Sequence, residues 1–303
     1  MINYMKLVYN PNENAQGDQN REKPVVHYED NVKKSGKFQR EKIKDKPFKE
    51  KAAYYLEYYK YPALAVVVGG ILLFTLIRSI VTSKSYCFNG MMVNSMALDS
   101  QTISSEFARI EEFDTDKYEC FIDCDSLMSI NGLSETDLAT STKFIAQIQT
   151  KDLDIATFDS TNFETEAMGE CMMDLSSVLS AEDLERFKDK LYYIDYAEIE
   201  RLDRADDKII DHTIKEVPTM EEMQANIAVH QHPENMEKPM LVGIIIDESP
   251  LVKNTYCYAG TIPVFGIIVN TQRVDSAIDF LHFIFDESYD FTTLTPYVTY
   301  SDN

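Results

Sequence analysis

The chain has 303 residues, 44% of them hydrophobic, enough apolar material to bury one sizeable core. Its net charge of −22 is unevenly spread: residues 1–60 carry 13 Lys/Arg against 9 Asp/Glu, and residues 85–303 carry 14 against 42. A segment with so large an acidic excess repels phosphate backbones, so nucleic acid is excluded as a partner of that part.

Residues 1–47 are polar and basic with few aliphatics, and read as a disordered cytoplasmic tail. Residues 48–83 read as one juxtamembrane and transmembrane helix, with Pro47 placed to open it. Its apolar stretch, residues 62–81, is interrupted only by Arg78 and has the length that crosses a bilayer. Arg78 stands near one end, where its guanidinium can reach the interface. Tyr54, Tyr55, Tyr58, Tyr59 and Tyr61 form an aromatic belt on the other side. Lys and Arg crowd the stretch before the helix, which by the positive-inside rule places the N-terminus in the cytoplasm and residues 85–303 outside. No small-residue cleavage site follows the apolar run, so it reads as an uncleaved signal anchor.

From Tyr86 onward, strand and helix patterns alternate. YCFNGMMVNS and KYECFIDC read as strands around a helix at SQTISSEFARIEEF. Ser134 with Asp137 forms a capping box for a helix whose apolar face is Leu138, Ile145 and Ile148. DLDIATF is a third strand and FETEAMGE a short helix. Ser180 caps a helix with Leu184, Phe187 and Leu191 at i, i+3 and i+7. DRADDK reads as a hairpin turn between two weak strands, and TMEEMQANIAVH as a helix ending before Pro233. MLVGIIID and VFGIIV are continuous apolar runs, as strands buried on both faces require. Val274, Ala277, Ile278, Leu281 and Phe285 share one stripe of a last helix. Alternation of this kind predicts an α/β layer fold with helices on both sides of a mixed or parallel sheet.

Three stretches carry a family resemblance. KFIAQIQTKDLDIATFDSTNFETEAMGECMMDLSSVL runs helix, strand ending in Asp, helix, and an Asp174-Leu175 turn; GIIIDESPLVKN has a Ser-Pro turn after a strand; VFGIIVNTQRVDSAIDFLHFIFDE closes with strand, Asn turn and helix. Together they resemble the extracellular solute-binding proteins of ABC transporters, with the two-lobed type 2 periplasmic-binding fold. The arrangement of anchor and outer domain also resembles uncharacterised single-pass membrane proteins of anaerobic Gram-positive bacteria. The resemblance implies an α/β domain like one lobe of that fold. Only residues 180–239 are left for the second lobe, about half the family's usual allowance, so that lobe is rudimentary. Members that bind sugars or peptides line their cleft with Trp or Tyr, and this chain has no Trp.

Five cysteines, Cys87, Cys120, Cys124, Cys171 and Cys257, cannot all pair with one another. Cys120 and Cys124 share a strand face but stand too far apart along it for an easy bridge. With no Asn-x-Ser/Thr sequon present, this pattern disfavours a disulfide-stapled, glycosylated protein and fits a bacterial surface. A ligand held by an α/β sheet lies beyond the carboxyl ends of the strands. Those positions are Asp125, Ser126, Asp159, Ser160 and Asp247, and the plain alternative is that each caps the following helix. His230, His232 and Glu234 have metal-ligand chemistry but fall in a polar, Pro-interrupted run, so surface loop is the default and no metal or cofactor is expected. His282 and His212 have no evident nucleophile and acid partners in sequence. The expected function is therefore that of a non-enzymatic, membrane-anchored extracytoplasmic protein, an interaction or structural module of the envelope that contacts the bilayer through residues 62–81 and another envelope protein. The alternative is a solute-binding protein that captures a small ligand for an ABC transporter or a sensor.

Overall fold

The computed structural model describes residues 41–295 apart from 42, 43, 46, 83, 133 and 205–215, and no side chains at 54–60, 63, 79–82, 203 and 204. The expected tail before residue 41, His212, and the tyrosine belt other than Tyr61 thus lie outside what is described. The chain divides into two compact units, Met1–Thr82 and Ser83–Asn303.

The described part of the first unit is dominated by helix α1, Phe48–Thr82, whose 35 residues extend about 52 Å. Pro62 lies inside it, where its ring removes one backbone donor. Among the described residues, no helix is long and apolar enough to cross a membrane. The apolar side chains described without a break, Leu64–Ile77, cover about 21 Å of helix, less than the roughly 30 Å of a hydrocarbon core. All of them face outward from α1, including Val66, Leu72 and Phe74.

The second unit is a mixed α/β domain built on a six-stranded sheet of order β2-β1-β3-β6-β5-β4. The strands are β1 (Ser85–Met92), β2 (Tyr118–Asp123), β3 (Ile155–Asp159), β4 (Leu191–Asp195), β5 (Pro239–Ile245) and β6 (Pro263–Ile267). β1 pairs in parallel with both β2 and β3. β6 runs antiparallel to β3 and β5, and β4 antiparallel to β5. The strands from β1 to β3 and β5 therefore point one way, and β6 and β4 the other.

The apolar runs of β5 and β6 are buried on both faces because helices cover each side. On one face, Phe107 of α2 (Ser100–Ile110), Leu251 of α8 (Pro250–Thr255) and Phe280 of α9 (Val274–Ile284) pack with Phe88, Ile244 and Phe265. On the other, Phe144 of α3 (Glu135–Thr150), Phe163 of α4 (Ser160–Met168) and Ile227 of α7 (Met220–His230) pack with Met91, Phe158 and Val264. Period-two alternation within each strand sends neighbouring residues to opposite layers.

Three local expectations need correction. In α3 the capping box of Ser134 and Asp137 is present, but the buried face is Asp137, Thr140 and Phe144. Leu138 and Ile145 are 68% and 50% exposed, because the inward positions hold polar groups that bond the preceding loop. The helix after Ser180, α5 (Ala181–Arg186), stops before Phe187, and Leu191 belongs to β4 instead. Where the sequence predicts a weak strand, residues form helix α6, Tyr196–Arg204, which takes in the first two residues of DRADDK; the rest of that run lies outside the described residues. Residues 180–239 also do not separate as a lobe of their own where they are described, since β4 completes the edge of the same sheet.

Candidate functional site

From β1 the chain crosses to β2 on one side, and then returns to β3 on the other. This reversal leaves a switch point between the carboxyl ends of β1 and β3, where open α/β sheets place ligands. Asn94, two residues past β1, occupies it with φ +62°, a left-handed backbone that Asn tolerates better than most residues. Its backbone N–H donates to the Ser126 carbonyl at 3.0 Å. Its side-chain amide donates to the Met128 carbonyl at 2.7 Å and to Asp159 Oδ2 at 3.0 Å, and accepts from the Met128 N–H at 2.9 Å. Asn162 adds a second amide to the same Asp159 oxygen, at 2.8 Å.

Asp159 is thus the N-cap of α4, accepting from the Asn162 N–H at 3.1 Å, and at the same time the anchor of two side-chain amides. Both donors of the Asn94 amide and its oxygen are used inside the protein, leaving little for a ligand. The loop after β2 is stitched across the crevice. Asn94→Ala removes three side-chain hydrogen bonds and strains a left-handed backbone, so it should cost about 2–3 kcal/mol in denaturant unfolding. Asn94→Gly keeps the backbone comfortable and should cost about half as much. A loss under about 0.5 kcal/mol for Asn94→Ala would show that this clamp does not hold the loop.

The neighbouring carboxylates Asp123 and Asp137 are satisfied internally as well, whereas the buried hydroxyls of Thr157 and Ser160 have no hydrogen-bond partner. Asp123 closes β2 and receives Lys143 Nζ at 2.8 Å and the Ser126 hydroxyl. Burial alone would push its carboxyl up; the Lys143 and Ser126 hydrogen bonds more than offset that and hold it below the ordinary range. Asp137, next to the same loop, accepts the Ser129 N–H and hydroxyl at 2.7 Å each and the Ser134 N–H at 2.8 Å. Burial would raise it too, but these donors keep it well below the usual carboxylate range.

Of the sequence-predicted positions, Asn94 brings Ser126 and Asp159 together, with Ser160 beside them at the start of α4. Asp125 turns away, accepting from the Ser100 hydroxyl at 2.9 Å. Asp247 caps nothing, because Ser249 is the N-cap of α8. The residues that sequence reasoning missed are Asn94 and Asn162. An Asn directly after a strand, at a place where the chain must turn, was the available signal for the first; the second left none.

A broader concavity lies at the free edge of the sheet. β2 and α2 flank a groove of about 1010 Å³ lined by Lys84, Asp99, Ser104, Arg109, Glu119 and Cys120, among others. Edge strands offer unpaired N–H groups, and two of these are already taken. The Ile122 N–H donates to Ser104 Oγ and the Cys124 N–H to Ser100 Oγ, both at 2.8 Å. The serines of α2 thus close the upper half of the edge.

Among the described residues, metal and nucleophile chemistry find no assembled site. His230 stacks on Tyr192 with ring centroids 4.3 Å apart and bonds the Tyr193 carbonyl at 2.8 Å. His232 instead pairs with Glu234 at 2.8 Å on the surface, so the sequence trio is split. Among the described residues, no group of three or more His, Cys, Asp or Glu is placed to hold a metal ion. Ser180, Asp183 and His282 do meet: Asp183 accepts from the Ser180 hydroxyl at 2.6 Å and contacts His282 Nε2 at 2.7 Å. The carboxylate stands between serine and histidine, so the imidazole does not contact the hydroxyl it would have to deprotonate. The arrangement is a helix cap tied to α9.

Comparison with protein-family models, curated proteins and solved structures finds no match to this chain.

Proposed function

We propose that the chain is a membrane-anchored extracytoplasmic protein whose α/β domain serves as an interaction module of the envelope and performs no catalysis. The observation that carries this reading is the self-closed switch point. Where an α/β sheet would hold a small ligand, Asn94, Asn162, Asp159 and Met128 spend their hydrogen bonds on one another. The sheet-edge groove, of about 1010 Å³, then remains open to a macromolecular contact. Anchoring is supported by the apolar sequence run of residues 62–81, by the outward-facing apolar side chains of α1, and by the basic residues that precede it.

A second reading, capture of a small solute, is favoured by the groove's volume of about 1010 Å³, at the upper end of ordinary ligand pockets. The order strand, helix, Asp174-capped turn, and later β5, α8, β6, α9, also follows the element order that the solute-binding resemblance implies.

The test uses the full chain expressed in a bacterial host. Alkaline carbonate extraction should leave it in the membrane pellet, and deleting residues 62–81 should release it. The purified protein should show no thermal shift with sugars, amino acids, peptides or divalent metals. A ligand at about 100 times its Kd would add roughly 2.7 kcal/mol, a rise of roughly 5–10 °C, and would favour solute capture instead. Extraction into the supernatant would sink the anchoring half of the proposal.

A further inference from the structure

Within the parallel pair β1–β2, the register holds Tyr86 opposite Glu119 and Phe88 opposite Cys120, leaving Cys87 as an extra residue in a bulge. Bulges re-aim side chains, and this one turns the Cys87 thiol toward the neighbouring strand. Its Sγ reaches the Glu119 carbonyl at 3.3 Å, the peptide group that leads directly into Cys120. The bulge thus sets the Cys87 thiol against the peptide group preceding Cys120, and the two thiols interact electrostatically. Adjacent strands stand about 4.8 Å apart, inside the roughly 4.4–6.8 Å between Cα atoms that a disulfide spans.

The other three thiols are placed differently. Cys124 and Cys257 are buried in the core, and burial pushes them up to about 12 and about 11 respectively. Cys171 sits apart, beside Glu166 and the Gly169 carbonyl. Cys87 and Cys120 are partly exposed, and Cys120 lines the groove where small reagents enter.

We infer that Cys87 and Cys120 form a dithiol modification site, which a small-molecule disulfide or a thiol oxidase converts to an intramolecular disulfide at the groove wall. The Cys87 thiol loses its proton to solvent, and the thiolate attacks one sulfur of the external disulfide R–S–S–R. A Cys87–S–S–R bond forms, and RS⁻ leaves to take up a proton. The Cys120 thiolate then attacks the Cys87 sulfur, forming the Cys87–Cys120 bond and expelling the second RS⁻. Two protein thiols are oxidised and one external disulfide is reduced to two thiols. This chemistry depends on the two strands alone, and so stands or falls separately from the membrane and interaction reading.

Spacing along the chain does not reveal this pair. Cys124 follows the end of β2 and is buried in the core, whereas the bulge supplies Cys120 with a partner from the strand beside it. Burial raises both thiols of the pair, so the thiolate fraction is small at neutral pH and the exchange is slow. Its rate should rise about tenfold per pH unit below the pKa of the attacking thiol.

The experiment takes the reduced full chain in detergent, adds oxidised glutathione without denaturant, blocks the remaining thiols by alkylation, and maps the digest by mass spectrometry without reduction. The expected product links the Cys87 and Cys120 peptides with loss of two hydrogens, while Cys124 and Cys257 alkylate only after unfolding. Cys87→Ser and Cys120→Ser should each instead accumulate a stable glutathione adduct at the surviving cysteine, because the resolving thiol is gone. Circular dichroism establishes that both variants are folded. A wild-type chain that accumulates separate glutathione adducts at Cys87 and Cys120, or links Cys87 between two chains, would overturn the proposal. So would an exchange rate that does not change with pH.

Discussion

Phe163→Ala should lower the stability of the α/β domain by about 3–5 kcal/mol, read as a fall in the urea midpoint with an unchanged slope. The reason is a ring that stands over two glycines. Gly243 in β5 and Gly266 in β6 leave the sheet surface bare beneath α4, and Phe163 fills that space with no exposure to solvent. A Cβ built on Gly243 would come within 2.7 Å of the ring and of Val264, and one on Gly266 within 2.9 Å of the ring and 2.7 Å of Met172. The ring also meets Tyr192 edge-on at 5.2 Å. Truncation leaves a cavity that backbone glycines cannot close, and it loosens the helix whose first turn carries Asp159. Gly243→Ala probes the same contact from the other side and should cost about 1–3 kcal/mol by overpacking. A loss of under about 1 kcal/mol for Phe163→Ala would mean that α4 is held by other contacts.

Arg273→Ala should be as damaging at neutral pH, by about 3–5 kcal/mol, because it strands a buried carboxylate. Asp154 is fully buried at the entrance to β3. It accepts Arg273 Nε at 2.8 Å, the Thr271 hydroxyl and the Asn89 N–H at 2.8 Å. Arg273 also donates to the Asp152 carbonyl at 2.6 Å, tying the start of α9 to the start of β3. Burial raises the Asp154 carboxyl, and Arg273 and Thr271 offset only part of that. A carboxyl raised above its unfolded value of about 3.9 binds its proton more tightly in the folded state. Its favourable contribution is therefore present below that unfolded value and is lost as pH rises through the folded one. Removing Arg273 raises the carboxyl further, so the deficit of the variant should shrink as the pH is lowered toward about 4. Chemical denaturation of both proteins across that range checks the sign. A deficit that grows on acidification would contradict a buried charge as its source.

Much of the α/β domain was legible along the chain because its signals are local. MLVGIIID and VFGIIV are apolar without interruption, which only strands covered on both faces require, and they are β5 and β6. Ser134 with Asp137, and Ser180 ahead of α5, announced helix starts through side chains that bond backbone three residues away. The same locality misled in α3, where Leu138 and Ile145 share a helical face by spacing, yet Asp137 and Thr140 face inward to bond the loop after β2. Spacing finds a face; it does not say which neighbour that face will meet.

The site depended almost wholly on contacts between distant parts of the chain. Asp159 and Ser126 were identified as carboxyl-end positions, but their being joined rests on Asn94, whose partners lie 34 and 65 residues away. His230 left its sequence neighbours His232 and Glu234 to stack on Tyr192 of another element. Cys120 gained Cys87 through a bulge that no pattern in either strand declares. What the sequence determined by itself was composition and period: an apolar stretch with its basic flank, an acidic domain after it, and alternating elements that must stack in layers. What only the tertiary structure decided was which polar groups meet, because hydrogen bonds and thiol contacts depend on ångström-scale approach between strands whose order in the sheet is not their order in the chain.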